Sequence, residues 1–552
     1  MKKLEQFIFS ILQNRSKKLL VILITLLAFI GSLMMFPTKA VLAKMLPGKS
    51  DDTFSVYIDA PTGSSYLQTN SINECVANIL RKEKEVKDIE IFNGMGSPLD
   101  YAGLVKGSNM KMGENVSEVV VNLTPKHERD ESSYMMVHRL RPILQKSCEP
   151  MVEGTSIKMV EQPAGPPTLA AIVVELYGKN AKELRTLAYK VKDILLHTKG
   201  LVDVDIMQDE IYKKFDLIIN KDKVIKSGLS IKQVNQILYL AFEGMDIAVK
   251  NSEDVQEQIP LFLVLSKKTK ELSSFSKEAL AKKLSSLKLM NQRGMMIPLT
   301  ELVNIKEVNS KPMIMSKNLS KVVNVTAETD LVSQVYPLLD ARSKIEKEFA
   351  KDYEVRSTHL FNLSLKNKKT QEVFNLDWDG EMKVSMDTFR DLGGAFIAAL
   401  ILIFLLMVIY YKSFAISGII LLGSFLSIIG VIVGHWIMDV FTHDTFFLTS
   451  TSLIGFIALM GISSRNSLLL IDFTKALIKK KNLPKKEAIS IATATRAKPI
   501  FLTAAAIILA STLLASDPIF GGLGVALIFG TIVAVIVSLI FVPVLMDNTK
   551  AI

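Results

Sequence analysis

Apolar residues in this chain are gathered into blocks. Leu19–Phe36 and Gly393–Tyr411 carry no charge, and four further apolar segments follow the second: Ser413–Met438, Phe446–Leu470, Pro499–Ala515 and Gly521–Met546. Each has about the length a membrane-crossing helix needs, roughly 20 residues, with the fifth block at the short end. The first block continues into the apolar Ala40–Leu46 without a small-x-small cleavage site, so it reads as an anchor and not as a removable leader. Ahead of it, residues 1–18 set Phe7, Ile8, Ile11 and Leu12 among basic residues at helical spacing. That pattern predicts a short amphipathic helix at the cytoplasmic interface, or else a disordered tail.

Between the first two blocks lie some 350 residues with strand and helix periodicities but no membrane segment. Thr53–Asp59 alternates, Ser64–Lys82 has helical spacing, and Val86–Phe92 and Glu118–Thr124 alternate again. Ser132–Lys146 then reads as a helix and Thr155–Glu161 as a strand. The order β-α-β-β-α-β is the split βαβ layout. Gln162–Pro167, rich in proline, ends it. A second block starts alike with strand Leu169–Tyr177, helix Ala181–Thr198 and strand Leu201–Met207, and resumes with strand Lys321–Thr326, helix Leu331–Phe349 and strand Tyr353–Thr358. The insertion, residues 212–310, has its own strands (Phe215–Ile219, near Leu261–Leu265, Val303–Val308) and helices (Lys221–Ser227, Ile231–Ala241).

The expected class is therefore an α+β membrane protein. Six transmembrane helices, one plus five, would carry a large outer region of two split βαβ (ferredoxin-like) subdomains and an inserted subdomain. The expected boundaries are 1–18, the first span 19–36, a first subdomain 37–162, a second from 163–211 and 311–390, the insertion 212–310, and spans two to six within 391–552.

Mean hydropathy is +0.30. A net charge of +11 would suggest nucleic acid until it is mapped. Lys2, Lys3, Arg15, Lys17 and Lys18 precede the first span, Lys412 lies between the second and third, and a lysine-rich connection at 473–498 joins the fourth and fifth. All fall on one side of a six-span layout with both termini inside, as the positive-inside rule requires. Asp439–Thr445 and Ser516–Phe520, on the other side, carry acids and no Lys or Arg. Lipid headgroups, not nucleic acid, account for the charge.

Phe446–Leu470 contains one cation, Arg465. A charge at the bilayer centre costs at least about 2.5–3.5 kcal/mol, so such a residue faces a protein interior and has a partner. Asp472 lies two turns on, too far to neutralise it directly, and no other apolar segment contains a deeply placed carboxylate. Arg465 then either snorkels to the interface or meets a carboxylate from elsewhere.

Several stretches, in order, resemble the resistance–nodulation–division (RND) transporters. Met45-Leu-Pro-Gly-Lys with Phe54–Ser64 resembles the entry strand after the first span of a C-terminal half, and Pro166–Gly178 with Gly200–Asp205 the start of its second porter unit. Gly228–Val234 and Met296–Leu302 resemble the docking insertion, and Gly461–Phe473 with Arg496–Thr503 the fourth and fifth spans. Members are usually twice this length, with an aspartate pair in the N-terminal half facing a Lys or Arg in the C-terminal half. The resemblance thus implies a separately encoded C-terminal half of a multidrug or small-molecule exporter in the bacterial inner membrane. Its implied partners are an N-terminal-half chain in a trimer of heterodimers, a periplasmic adaptor and an outer-membrane channel. It would be driven by the proton gradient with no cofactor.

On this reading Arg465 is the ion-pair cation. Thr503 is a neighbouring hydroxyl or a back-bond to its own helix, and Asn466 a cross-helix hydrogen bond or a simple helix contact. Asp472 is an interfacial anchor or a proton carrier. His435, beside Trp436, is expected to pack in the interfacial belt. Cys75 and Cys148 fall on helices covering one sheet face in an oxidising compartment, where they are a disulfide or two thiols. The 24 methionines admit a heavy-metal (Cu/Ag-type) exporter as an alternative, although none lies in Thr53–Asp59. A Sec-type protein-export accessory subunit shares the span layout but would not need the insertion. Neither metal-ligand spacing nor clustered catalytic groups appear, so no enzyme is expected.

Overall fold

The computed structural model describes residues 2–45, 50–98, 101–162, 165, 168–256, 258–359, 361–442 and 446–551. They form two compact units, Met1–Met207 with Ile314–Ile552, and Gln208–Met313. Residues 46–49 of the Met45-Leu-Pro-Gly-Lys stretch, 163–164 and 166–167 of the proline-rich break and 443–445 of the acidic connection lie outside the described residues.

The chain opens with α1 (Lys2–Gln13) and α2 (Arg15–Met34). Asn14 between them caps α2, its side chain accepting the Ser16 N–H at 2.9 Å. The first outer sheet holds β1 (Thr53–Asp59), β2 (Val86–Met95), β3 (Met112–Leu123) and β4 (Ser156–Glu161), in the order β2-β3-β1-β4. Helices α3 (Tyr66–Leu80) and α5 (Ser133–Cys148) cover it, while the short α4 (Tyr101–Lys106) follows β2. Phe54, Val56 and Ile58 of β1 are fully buried beneath Ile72, Val76 and Leu140 of these helices. Burying one such side chain contributes about 1.5–3 kcal/mol. Cys75 of α3 and Cys148 of α5 are joined in a disulfide, with Cα atoms 5.7 Å apart.

A second sheet begins with β5 (Ile172–Tyr177), α6 (Ala181–Leu196) and β6 (Leu201–Ile206). The chain then leaves for the smaller unit. There β7 (Lys213–Ile219) leads through α7 (Lys221–Lys226) and α8 (Ile231–Phe242) to a hairpin of β8 (Met245–Lys250) and β9 (Ile259–Leu263). After α9 (Lys267–Lys270) and α10 (Lys277–Ser286) come β10 (Lys288–Met290), β11 (Met296–Pro298) and α11 (Leu299–Leu302). The unit closes with β12 (Val303–Asn309), antiparallel to β7. Its core is small and centres on Val224, Val234, Leu284, Leu299 and Leu302.

On return, β13 (Met315–Lys317), β14 (Ser320–Thr329), α12 (Val335–Phe349), β15 (Tyr353–Ser357), β16 (Leu363–Asn367) and β17 (Val373–Asp379) complete the second sheet. Its order is β13-β14-β5-β17-β16-β15, with β6 also paired to β14. This departs from a plain second split βαβ unit. The strand at Tyr353, the last read for this unit in the sequence, lies at the far edge, and β17 takes the place next to β5. The physical reason is the hairpin of β16 and β17, whose inward residues Leu363, Leu365, Phe374, Leu376 and Trp378 join the core.

The apolar helices are α13 (Glu381–Tyr411), α14 (Phe414–Phe425) with α15 (Ile428–Phe441), α16 (Ser450–Lys481), α17 (Lys485–Ala515), and α18 (Gly521–Ile536) with α19 (Val542–Asn548). With α2, and counting each joined pair once, six helices among the described residues are long and apolar enough to cross a membrane. The α14–α15 helix breaks at Leu426–Ser427, where the Ser424 and Ser427 hydroxyls donate to the carbonyls of Ile420 and Ser424 at 2.9 and 2.6 Å. These hydroxyls back-bond to carbonyls of their own helix, a habit of serine that goes with helix bends. Between α18 and α19 the turn widens over Val537–Phe541, just before Pro543, which lacks a backbone donor and crowds the carbonyl one turn back. Helix α18 packs on α15, α16 and α17. At Gly430 a side chain would collide with the Phe529 carbonyl, so glycine permits this approach.

Of the four apolar residues read in 1–18, three face the chain's own helices and Phe7 stays 51% exposed. Ile8, Ile11 and Leu12 are buried with Ile489, Ala492 and Met546, and Lys18 pairs with Asp547 at 2.9 Å, so the helix packs on α17 and α19.

Replacing Cys75 and Cys148 together by alanine should lower stability by about 2–5 kcal/mol, since the bridge closes a long loop. Thermal unfolding of the purified chain with and without reductant checks this. The wild type should lose stability on reduction and the double variant should not.

Candidate functional site

Helix α16 has two contrasting faces. Ser463, Ser464, Asn466, Ser467, Leu470 and Ile471 are buried in the bundle. Ile454, Ala458, Gly461, Arg465 and Leu469 are exposed and recur every three or four residues, forming one stripe along the helix. Arg465 therefore points away from the chain's own interior. Among the described residues no carboxylate lies within ion-pair distance of it.

Asn466 is 6 % exposed and lies inside the bundle, so the two adjacent residues face opposite ways. The Thr503 hydroxyl donates to the Pro499 carbonyl one turn earlier in α17, at 2.8 Å. Asp472 accepts a hydrogen bond from the Tyr411 hydroxyl at 2.7 Å, and Lys475 sits over that ring, 4.9 Å from its centroid. The contact fastens the end of α13 to α16. Thus of the four residues expected at the ion-pair site, Arg465 stands exposed, Asn466 is buried, and Thr503 and Asp472 have other partners. Cys75 and Cys148 lie in the outer domain.

His435 is not an interfacial belt residue. It is completely buried, whereas Trp436 beside it is 41 % exposed. Its Nδ1 lies 2.7 Å from the Val431 carbonyl, which can only accept, so Nδ1 carries a hydrogen; Nε2 is 2.8 Å from Ser452 Oγ. Ser452 also accepts the Thr449 N–H at 3.0 Å, and Thr449 Oγ1 is 2.8 Å from Thr451 Oγ1, which donates to the Ile519 carbonyl at 3.2 Å. This chain of hydroxyls ties α15 and the start of α16 to the connection before α18. The run Thr449-Ser-Thr-Ser is its signal in the sequence, where it reads equally well as a helix cap.

A cavity of about 650 Å³ lies between the outer ends of α15, α16 and α18 and the two outer subdomains. Lys44, Arg141, Glu161, Glu328 and Glu381 line its polar part, and Phe446 and Phe447 its apolar part. Burial pushes the Glu161 carboxyl up to about 7; Arg141 and Lys44 oppose this, while Glu328 and Asp330 add to it.

Six helices long and apolar enough to cross a membrane, a two-sheet α/β region and an exposed arginine midway along α16 define a polytopic membrane-protein architecture among the described residues. The model of the AcrB/AcrD/AcrF family matches residues 3–547. The chain belongs to that family of RND permeases. It is 24% identical over 543 residues to the swarming motility protein SwrC of Bacillus subtilis (strain 168), covering 96% of this chain and 46% of SwrC. To the multidrug resistance protein MdtC of Photorhabdus laumondii it is 22% identical over 431 residues, 77% of this chain and 38% of that protein. A crystal structure of a heavy metal efflux pump has the same fold, with a TM-score of 0.73 at 17% identity over 98% of this chain and 51% of the pump. The chain thus spans less than half the length of these curated relatives.

Ser452→Ala should destabilise the bundle by about 1–3 kcal/mol by stranding the His435 ring nitrogen. In a His435→Phe background the same change should cost less. A double-mutant cycle on thermal unfolding in detergent measures the difference.

Proposed function

We propose that these 552 residues are the cation-bearing half of a proton-driven RND exporter of small molecules, seated in the bacterial inner membrane. The observation that carries this reading is Arg465, exposed on an apolar stripe about midway along α16. A guanidinium left there in hydrocarbon costs several kcal/mol, and a facing carboxylate on a second half removes that cost. That carboxylate comes from a separate chain or from sequence continuous with this one. Protonating it breaks the pair and leaves Arg465 to find another arrangement, which gives protons a hold on helix packing. Ile454, Ala458, Gly461 and Leu469 supply the apolar and small contacts around it.

In this reading the Lys-rich connection between α16 and α17 faces the cytoplasm with both termini, and the two sheets stand in the periplasm. The unit Gln208–Met313 docks a periplasmic adaptor, an outer-membrane channel completes the path, and three such pairs form the working assembly. The proton gradient is the energy source.

Purification of the tagged chain from its host in mild detergent, followed by native mass measurement, tests the pairing. A stoichiometric membrane partner, or a longer continuous chain, with carboxylates at the depth of Arg465 is expected; a homo-oligomer lacking them overturns the reading. Arg465→Gln should reduce proton-coupled transport at least on the order of tenfold, the scale of a coupling free energy. Arg465→Lys should retain more, as read by drug accumulation in energised cells.

A further inference from the structure

The two outer subdomains meet along a seam with a consistent polarity. Lys106 pairs with Glu328 at 2.6 Å, His138 with Asp330 at 2.7 Å, and Arg141 with Asp330 at 2.9 Å and Asp203 at 3.3 Å; Lys158 pairs with Asp205. In each of these, the first subdomain gives the basic partner and the second the carboxylate. Two features make the seam more than a set of surface pairs. Arg141 and Asp203 are buried, with side chains 6% and 2% exposed. Asp203 also sits at φ 51, a left-handed conformation that aspartate and asparagine tolerate better than other side chains. It receives the Met159 N–H at 3.3 Å and the Gln145 side chain at 3.4 Å from the opposite subdomain.

Three carboxylates crowd one guanidinium at the centre. Arg141 touches Asp203 and Asp330 and also faces Glu161, at the end of β4, which has no hydrogen-bond partner among the described residues. The other charged groups facing Glu161 are Lys44 before β1, Glu328 at the end of β14, and Asp330 after it; Lys106, Lys126, His127, Arg129, Glu131, Glu381 and Asp517 share the cavity wall. Asp203 faces Arg141, Lys158 and Glu328. A closed seam holding every one of these acids ionised would bury repelling charges that an open seam leaves in water.

From this geometry we infer that the seam between the outer subdomains is a proton-sensitive latch, which closes with uptake of protons on Glu161 and Asp203 and is loosened when they ionise. Burial dominates for both, pushing Glu161 to about 7 and Asp203 to about 6 in the closed seam. A carboxyl whose pKa is higher closed than open binds more protons when closed, so the free energy of opening falls as pH rises. Closure strengthens as pH drops through about 7 and then about 6. Closure reaches its full strength, and stops changing with pH, once the open form is protonated too, near ordinary carboxylate values of about 4. The latch requires neither the pairing of halves nor transport.

The test is a spin-label distance measurement on the full chain in lipid nanodiscs, with Lys146→Cys on α5 and Lys199→Cys before β6, both exposed positions outside the seam pairs. Lowering the pH from 8 to 6 should raise the closed-to-open ratio about tenfold, as expected for one proton taken up near the middle of that interval. Glu161→Gln should favour the closed distance at pH 8 and remove most of the response. Asp203→Asn, compatible with the left-handed backbone, should remove the smaller remainder at lower pH. A ratio that changes less than twofold, a single distance at every pH, opening on acidification, or a full response in Glu161→Gln would each overturn the latch.

Discussion

A guanidinium cannot remain in hydrocarbon without an anion, and α16 carries one on its outward face. Everything else about the helix is arranged around that exposure. Its inward face is lined with small hydroxyls and Asn466, which lets α18 approach closely, while its outward face alternates small and branched apolar residues with Arg465. Small, weakly polar residues inside a bundle are a cheap way to pack helices tightly where lipid gives no hydrophobic drive. A cation outside it has no such explanation within this chain. The same constraint makes α2, α13 and α17, mostly exposed along their apolar lengths, surfaces that lipid or protein must cover.

Periodicity made much of this fold legible. Alternation marks β1, a 3.6-residue period marks α3 and α5, and length with absence of charge marks the apolar helices. The hairpin of β16 and β17 was harder to read. Its inward residues are few, its turn runs through lysines, and its place beside β5 is decided by pairing across more than 190 residues, which no local pattern encodes. The break in the third apolar segment was also hidden, because Ser424 and Ser427 turn their hydroxyls back onto their own helix and leave the apolar run uninterrupted.

The candidate site was legible only in part, and for a physical reason. Arg465 stands out because charge in an apolar run is costly and therefore rare. His435 gave the wrong impression because a histidine next to a tryptophan near a helix end resembles an interfacial pair. Helical geometry turns neighbours about 100° apart, and the step that exposes Trp436 buries His435. The seam acids were invisible for a different reason. Asp203, Glu161 and Asp330 are ordinary surface residues in a linear reading, and only the packing of two subdomains places them around one arginine.

The outward cation and the outer seam are joined by short covalent and hydrogen-bonded routes. The segment after α2 binds the start of α16, with the Leu448 N–H to Leu42 O at 2.8 Å and both the N–H and the hydroxyl of Ser450 to Met45 O at 3.0 and 2.9 Å. The same segment reaches the second subdomain through Ser333 to Ala43 O at 2.5 Å and Tyr336 to Phe36 O at 2.8 Å. A second route is the chain itself. β17 runs into α13 through Gly380, at φ 87, where a side chain would press on the Ala170 carbonyl, and Glu381 N–H bonds that carbonyl at 3.1 Å. On the proposed reading, a shift of α16 toward or away from a facing carboxylate would pull on the linker that also supplies Lys44 to the Glu161 cluster. On the proposed reading both places would answer to protons, one through an ion pair at Arg465 and the other through the carboxylates gathered around Arg141. Because backbone hydrogen bonds connect them, neither can rearrange without loading the other.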